Sequence, residues 1–299
     1  MKHTVKYVNG KGDVIDFTAG LMNADGSINP YHLVSGTFMD YELDYNSSDD
    51  YRLRGSKITA FKRSATDFTL ELDVLAATEA VYISAINALH DIVDYDVDAQ
   101  VPGTLYVDGS YIKCYIRASS KEDWESPVLF LSVTLTAVAE FPAWWTEKAY
   151  SFAAIEATEE EEEDDFVVAV GDSEEEDFPY EFYCAPSHVI NNLSAYKSSY
   201  YILRIYGPCT NPTVSIGALD VNVNVTLNAG EVLEINSYER TIVITNTFSG
   251  VITNAFGSRS RAVDIFTRID TGYVFVYTSS DFAFDLVLLD KRSEPLWTS

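Results

Sequence analysis

Residues 68–74 read Phe68-Thr69-Leu70-Glu71-Leu72-Asp73-Val74, with an apolar side chain at every second position. Successive side chains of an extended chain point to opposite faces, so this period predicts a strand with one buried face. Directly after it the period changes. From Ala77 to Val93 the residues Ile83, Ile86, Leu89/His90 and Val93 recur at helical spacing, and the Thr78 hydroxyl is placed to cap the first turn. A strand feeding the one good helix of the chain makes the first part an α+β unit.

Further strands are read on both sides of this pair. Val5, Tyr7 and then Val14 to Phe17 flank Asn9-Gly10-Lys11-Gly12, a tight-turn signal between two strands. Ile58 to Lys62 is expected to pair with Phe68 to Val74. Leu105 to Ile112 is a hairpin turning at Asp108-Gly109, and Val128 to Val138 is a long apolar strand that ends in Phe141-Pro142-Ala143-Trp144-Trp145. Beyond residue 181 the pattern is almost purely β. Tyr200 to Tyr206, Thr213 to Ile216, Val221 to Leu227, Val232 to Asn236, Thr241 to Thr245, Ala262 to Ile265, Tyr273 to Thr278 and Phe282 to Leu289 read as short strands with no helix between them. Such spacing indicates a sandwich or jelly roll. The fold class is mainly β, an α+β unit followed by an all-β one.

Charge divides the chain in the same way. Of 299 residues, 20 are Lys or Arg and 46 are Asp or Glu, a net charge of −26. Residues 1–145 carry 11 bases and 21 acids, net −10; residues 146–180 carry 1 and 14, net −13; residues 181–299 carry 8 and 11, net −3. Glu159 to Asp165 is an unbroken acidic run whose self-repulsion predicts a solvated connector. The expected domains are therefore 1–145, an acidic connector 146–180, and 181–299. The balance excludes a nucleic-acid binder built on clustered Lys and Arg, and disfavours docking on anionic lipid. Cys114, Cys184 and Cys209 are odd in number and form no CxxC pair, against a disulfide framework or a thiolate metal site. No stretch reaches the length of a membrane span, and the N-terminus has no signal-peptide core. The expectation is a soluble, acidic protein made in the cytoplasm. Asn-x-Ser/Thr triplets at Asn46, Asn192 and Asn224 are read as chance matches.

No motif carries chemistry. Gly10-Lys11-Gly12 begins like a dinucleotide loop, but Ile15 stands at the last glycine position and no βαβ unit surrounds it, so a hairpin turn is the better reading. Asp94, Asp96 and Asp98 begin like a calcium loop. Ala99 and Leu105 then occupy positions that need Gly and Glu, so a solvated turn after the helix is expected. His3, His32, His90 and His188 are scattered without metal-ligand spacing, and His90 reads as a packed residue of the helix face. No catalytic, cofactor-binding or metal-ligating residue is predicted, and the chain is read as a non-enzyme with no cofactor.

The order of these pieces resembles the distal tail protein of siphophages, a component of the phage baseplate hub. The resemblance rests on the N-terminal hairpin, the strand Phe68 to Val74 leading into the helix, Gly103-Thr-Leu-Tyr-Val-Asp-Gly-Ser-Tyr-Ile-Lys-Cys-Tyr115, and the aromatic close Phe141 to Trp145. In the second half it rests on Phe178-Pro179-Tyr180-Glu181-Phe182, Ile205-Tyr-Gly-Pro-Cys-Thr-Asn-Pro212, Asn228-Ala-Gly-Glu231 with Leu233 and Ile235, and the terminal strand pair. The acidic run departs from that pattern. What the resemblance implies is a structural virion protein at the distal end of the tail, made in the host cytoplasm. Its N-terminal domain would be a split β-barrel like those of tail tube subunits, closing a homohexameric ring. Its C-terminal domain would be a galectin-like β-sandwich. Implied partners are the tail tube protein, the tail-tip hub protein and a receptor-binding protein on the sandwich. DNA would be only a transient passenger in the lumen, which acids of the first domain would keep from sticking. The alternative is a carbohydrate-binding module that recognises host-surface glycan through Tyr and Trp; a glycoside hydrolase using paired acids is a third reading.

Overall fold

A computed structural model describes residues 3–18, 29–50, 55–122, 129–154, 187–192, 194, 197–278 and 282–296. The acidic run Glu159–Asp165 and Cys184 lie outside the described residues. The chain divides into two units, Met1–Glu147 with Lys291–Ser299, and Lys148–Asp290. The charge partition carries no sign of the return of the last nine residues to the first unit.

The first unit contains β1 (Val5–Val8), β2 (Val14–Asp16), β3 (Tyr31–Gly36), β4 (Asp44–Asp50), β5 (Gly55–Lys62), β6 (Thr66–Leu75), α1 (Glu79–Ala99), β7 (Gly103–Val107), β8 (Ser110–Glu122), β9 (Phe130–Ala139) and the start of β10 (Trp144–Phe152). β1 and β2 pair antiparallel across the predicted turn, and Asn9 Oδ1 accepts from the backbone N–H of Lys11 and Asp13. β7 and β8 turn at Asp108 and Gly109, both at positive φ, as a two-residue hairpin of this hand requires. The long strand β8 pairs with β7 and β10 through its first half and with β9 through its second, and β9 in turn pairs with β6. β6 also pairs with β3, whose Leu33 N–H donates to the Phe17 carbonyl while the Phe17 N–H donates to Val5. One residue thus bridges β1 and β3. Leu70, Leu72, Val74, Leu105, Ile116, Leu131, Val133 and Leu135 fill the core between these strands.

Two expectations fail in this unit. β5 pairs with β4 and not with the strand Phe68 to Val74, which pairs with β3 and β9. Every residue of β5 is exposed, so it has no buried row for β6 to match. The helix keeps its predicted cap, with Thr78 accepting from the Val81 N–H, but it runs on to Ala99 and carries Asp94, Asp96 and Asp98 within it. Its buried stripe is Ala85, Leu89, Val93 and Asp96, at spacings of four, four and three. Ile83 faces solvent, Ile86 packs partly, and His90 is half-buried.

The second unit is a sandwich of two antiparallel sheets. Its strands are the end of β10, β11 (Ser187–Asn192), β12 (Tyr200–Tyr206), β13 (Cys209–Thr210), β14 (Thr213–Ile216), β15 (Leu219–Asn222), β16 (Thr226–Leu227), β17 (Glu231–Asn236), β18 (Thr241–Asn246), β19 (Ile252–Asn254), β20 (Gly272–Thr278) and β21 (Phe284–Arg292). One layer runs β19-β18-β17-β12-β21 and the other β11-β20-β14-β15. Leu203, Ile205, Leu233, Ile235 and Leu286 from the first layer share one core with Ile190, Val214, Ile216, Val221 and Val276 from the second. Val221 to Leu227 is not one strand: the Asn224 N–H donates to the Ser258 carbonyl, and the ladder breaks between β15 and β16. Ala262 to Ile265 forms no strand either, because the Asp264 carboxylate and carbonyl accept from the backbone N–H of Phe266 and Thr267 and hold a turn.

Candidate assembly surface

The ribbon β4–β5 pairs with no other strand among the described residues. Tyr45 stands opposite Phe61, and Ser47 opposite Ile58, with a bulge between the two pairs. The extra residue restores phase after the three-residue step from Phe61 to Ile58, so Tyr45, Phe61 and Ile58 share one face. That face is open, with Phe61 66% exposed and Tyr45 61%. A two-stranded ribbon with no buried face is marginal in water and is stabilised by covering its apolar side.

At the foot of the ribbon the first unit holds a cavity of about 240 Å³ whose lining includes Phe38, Tyr41, Phe68 and Trp144 with Asp40 and Glu42. Arg63, which follows β5, donates to the Pro142 carbonyl at 2.5 Å and to Ser293 Oγ at 2.8 Å, fixing the ribbon's exit to the aromatic close of the domain. Arg117 pairs with Asp67 on the rim, and its guanidinium holds the Asp67 carboxyl below its ordinary value. Lys57 and Lys62 sit on the ribbon while Asp40 and Glu42 border the cavity. Ribbon and cavity are alike in carrying aromatic side chains, while the charge of the ribbon is mixed, with Asp44 opposite Lys62 and Asp49 and Asp50 on the same strand.

The residues tested for chemistry are dispersed. The Gly10–Gly12 segment is the β1–β2 turn, with Gly12 at φ +100°. His3 Nδ1 lies 2.5 Å from Asp108 Oδ2, His32 Nε2 lies 3.1 Å from the Asn29 carbonyl, and the His188 ring packs tilted against Phe152 with centroids 4.7 Å apart. Cys114 is buried, which pushes its thiol up to about 12, and Cys209 is half-buried. Among the described residues no three His, Cys, Asp or Glu side chains are grouped to hold a metal ion, and no helix is long and apolar enough to cross a membrane.

Sequence reasoning misplaced one residue of consequence. Asp96, expected in a solvated turn, is fully buried, and its two oxygens accept from the Tyr7 hydroxyl and the Gly10 N–H, each at 2.6 Å. The signal lay in the spacing, since 89, 93 and 96 continue the helical stripe. These bonds tie the end of α1 to the β1–β2 hairpin and are structural.

No family model matches the sequence, and no curated protein sequence matches it either. Solved structures do match. The SPP1 Dit protein, described as a paradigm of the hub adsorption apparatus in phages infecting Gram-positive hosts, aligns with a TM-score of 0.54 at 11% identity over 97% of this chain and 98% of that one. A chain of the phage p2 baseplate in its activated conformation with calcium aligns at 0.60 and 11% identity over 99% and 100%, and the strontium form at 0.60 and 11% over 98% and 99%. At this identity the likeness is one of fold. The chain carries, over nearly its whole length, the mainly-β fold seen in phage Dit and baseplate proteins.

Proposed function

We propose that this protein is a structural component of the distal end of a phage tail, a ring-forming distal tail protein and not an enzyme. The full-length likeness to Dit and baseplate chains carries the proposal, because both units match together and in order. The exposed ribbon supports it. The ribbon and the cavity at its foot are unlike surfaces, and repeated contact between unlike surfaces builds a ring where the rotation closes. In this reading Tyr45, Ile58 and Phe61 of one copy lie against the Phe38, Tyr41 and Trp144 surface of the next, with Lys57 and Lys62 near Asp40 and Glu42. The first unit corresponds to the split barrel of tail tube subunits, with Phe17 bridging β1 and β3. The second corresponds to a galectin-like sandwich.

The ring holds six copies and joins the tail tube to the tail-tip hub, with receptor-binding or other tip proteins attached outside and DNA passing through the lumen. The protein is then a virion component, assembled in the host cytoplasm. Native mass spectrometry and negative-stain images of the full chain test the proposal. Closed six-fold rings are expected at micromolar concentration. Monomers alone, both free and when mixed with the tail tube protein, would overturn it.

A further inference from the structure

The outer face of the sheet β11-β20-β14-β15 carries a row of aromatic rings that the sandwich core does not use. Tyr273, Phe275 and Tyr277 alternate along β20 with the buried Val274 and Val276, so all three rings stand on the solvent side. Tyr273 is 77% exposed and Phe275 51%. The Phe275 and Tyr277 rings are nearly parallel, 21° apart in plane with centroids 6.2 Å apart. The register sets Val189 and Asn191 of β11 beside Phe275 and Tyr273, and Ser215 of β14 beside Tyr277. Beyond β14, Asp220 accepts from Ser215 Oγ at 2.6 Å. The hydroxyls of Tyr273, Tyr277 and Thr271 make no hydrogen bond among the described residues.

A cavity of about 340 Å³ opens at one end of this row, between the β14–β15 turn and residues 267–271. Tyr273 and Phe275 form one wall of it, and Thr267, Arg268, Asp270 and Thr271 contribute polar groups. Arg268 is engaged already: its guanidinium lies 4.3 Å above the Tyr200 ring and donates to the Tyr200 hydroxyl. The Asp270 carboxylate accepts a long bond of 3.5 Å from Ser198 Oγ, and its carbonyl accepts from Asn192 Nδ2 at 2.9 Å.

We propose that Tyr273, Phe275 and Tyr277, with the adjoining cavity, form a binding site for a neutral oligosaccharide. A pyranose ring has an apolar C–H face and an equatorial rim of hydroxyls. It is recognised by aromatic faces together with hydroxyl, carboxamide and carboxylate groups, which is the inventory of this surface. The other candidates fit less well. The three rings expose roughly 350 Å², less than half of the ~800 Å² per partner of a stable protein interface. Polyanions, whether nucleic acid or charged glycan, meet Asp220 and Asp270, while Arg268 is committed to Tyr200 and Lys148 to the Asn191 carbonyl. The cavity takes one or two sugar rings, and the row along β20 extends the contact to the next residues of the glycan.

The test applies the full chain and its double variant Tyr273→Ala/Phe275→Ala to an array of neutral hexose and N-acetylhexosamine oligosaccharides. Any hit is followed by saturation-transfer NMR. Both side chains are exposed, so circular dichroism and the melting curve of the variant are expected to match the parent. Binding of at least one array glycan, saturation strongest at its ring C–H protons, and a tenfold or greater loss in the double variant are expected. Silence across the array would overturn the proposal, as would binding that survives in the folded variant. A tail protein captured by the parent and lost from the variant, with no glycan bound, would assign the face to a protein and overturn it too.

Discussion

At the scale of single residues, the buried carboxylate of Asp96 is the most demanding group in the first unit. A buried acceptor left without its donor costs about 1–3 kcal/mol. Tyr7→Phe removes the Asp96 Oδ2 partner and leaves the ring in place, so it is expected to lower the urea-unfolding free energy by that amount with an unchanged m-value. Buried tyrosines also set a limit at alkaline pH. Tyr31 donates to the Ala85 carbonyl at 2.6 Å, and burial pushes its hydroxyl from 10.0 up to about 12; burial raises Tyr7 and Tyr201 as well. The fold favours the neutral phenol. Stability from these groups is therefore fully present below pH 10, where the unfolded chain also holds the proton, and is lost as pH rises from 10 towards 12. A loss of about 1.4 kcal/mol per pH unit for each such tyrosine is expected in that window. Urea midpoints measured from pH 7 to pH 11.5 check this.

At the scale of elements, local patterns read well where one face is buried against the same domain. The strand Phe68 to Val74, the hairpin at Asp108-Gly109, Tyr200 to Tyr206 and Thr213 to Ile216 all occur where period and turn chemistry put them, because those signals are local. β5 pairs with β4 and not with the expected strand Phe68 to Val74, since all its residues face solvent and no burial pattern sets its register. That openness makes the ribbon the place to test assembly. Phe61→Asp replaces an exposed ring, so the melting temperature of the isolated chain is expected to move by no more than a degree or two, in line with a surface change. The same substitution buries a carboxylate in the proposed contact and is expected to abolish rings in native mass spectra. Rings that persist in Phe61→Asp would remove the ribbon from the interface.

At the scale of the whole molecule, charge acts on assembly more than on folding. The first unit, with the last nine residues included, holds 13 Lys and Arg against 23 Asp and Glu, still net −10. In the proposed ring six such units would carry about −60, and their mutual repulsion is screened as the Debye length falls from about 20 Å near 0.02 M salt to about 4 Å near 0.5 M. Ring formation is therefore expected to tighten as salt rises. Sedimentation velocity at the two ionic strengths checks this, and rings that dissociate in high salt would show instead that ion pairs such as those offered by Lys57 and Lys62 dominate.

What the sequence determined by itself was whatever depends on neighbours a few residues away. The alternation of strands, the Thr78 cap, the glycine turns, the mainly-β class and the concentration of acid in one stretch are of this kind, because φ/ψ preference, hydrogen-bonding reach and charge density are local quantities. Only the tertiary structure decided which strands pair, that Asp96 points inward to Tyr7 and Gly10, and that Lys291–Ser299 return to the first unit. The same holds for the placing of Tyr273, Phe275 and Tyr277 outside the sandwich beside a cavity. These depend on contacts between residues tens to hundreds of positions apart. Such contacts are fixed by which buried faces fit together, a property that no short window of sequence contains.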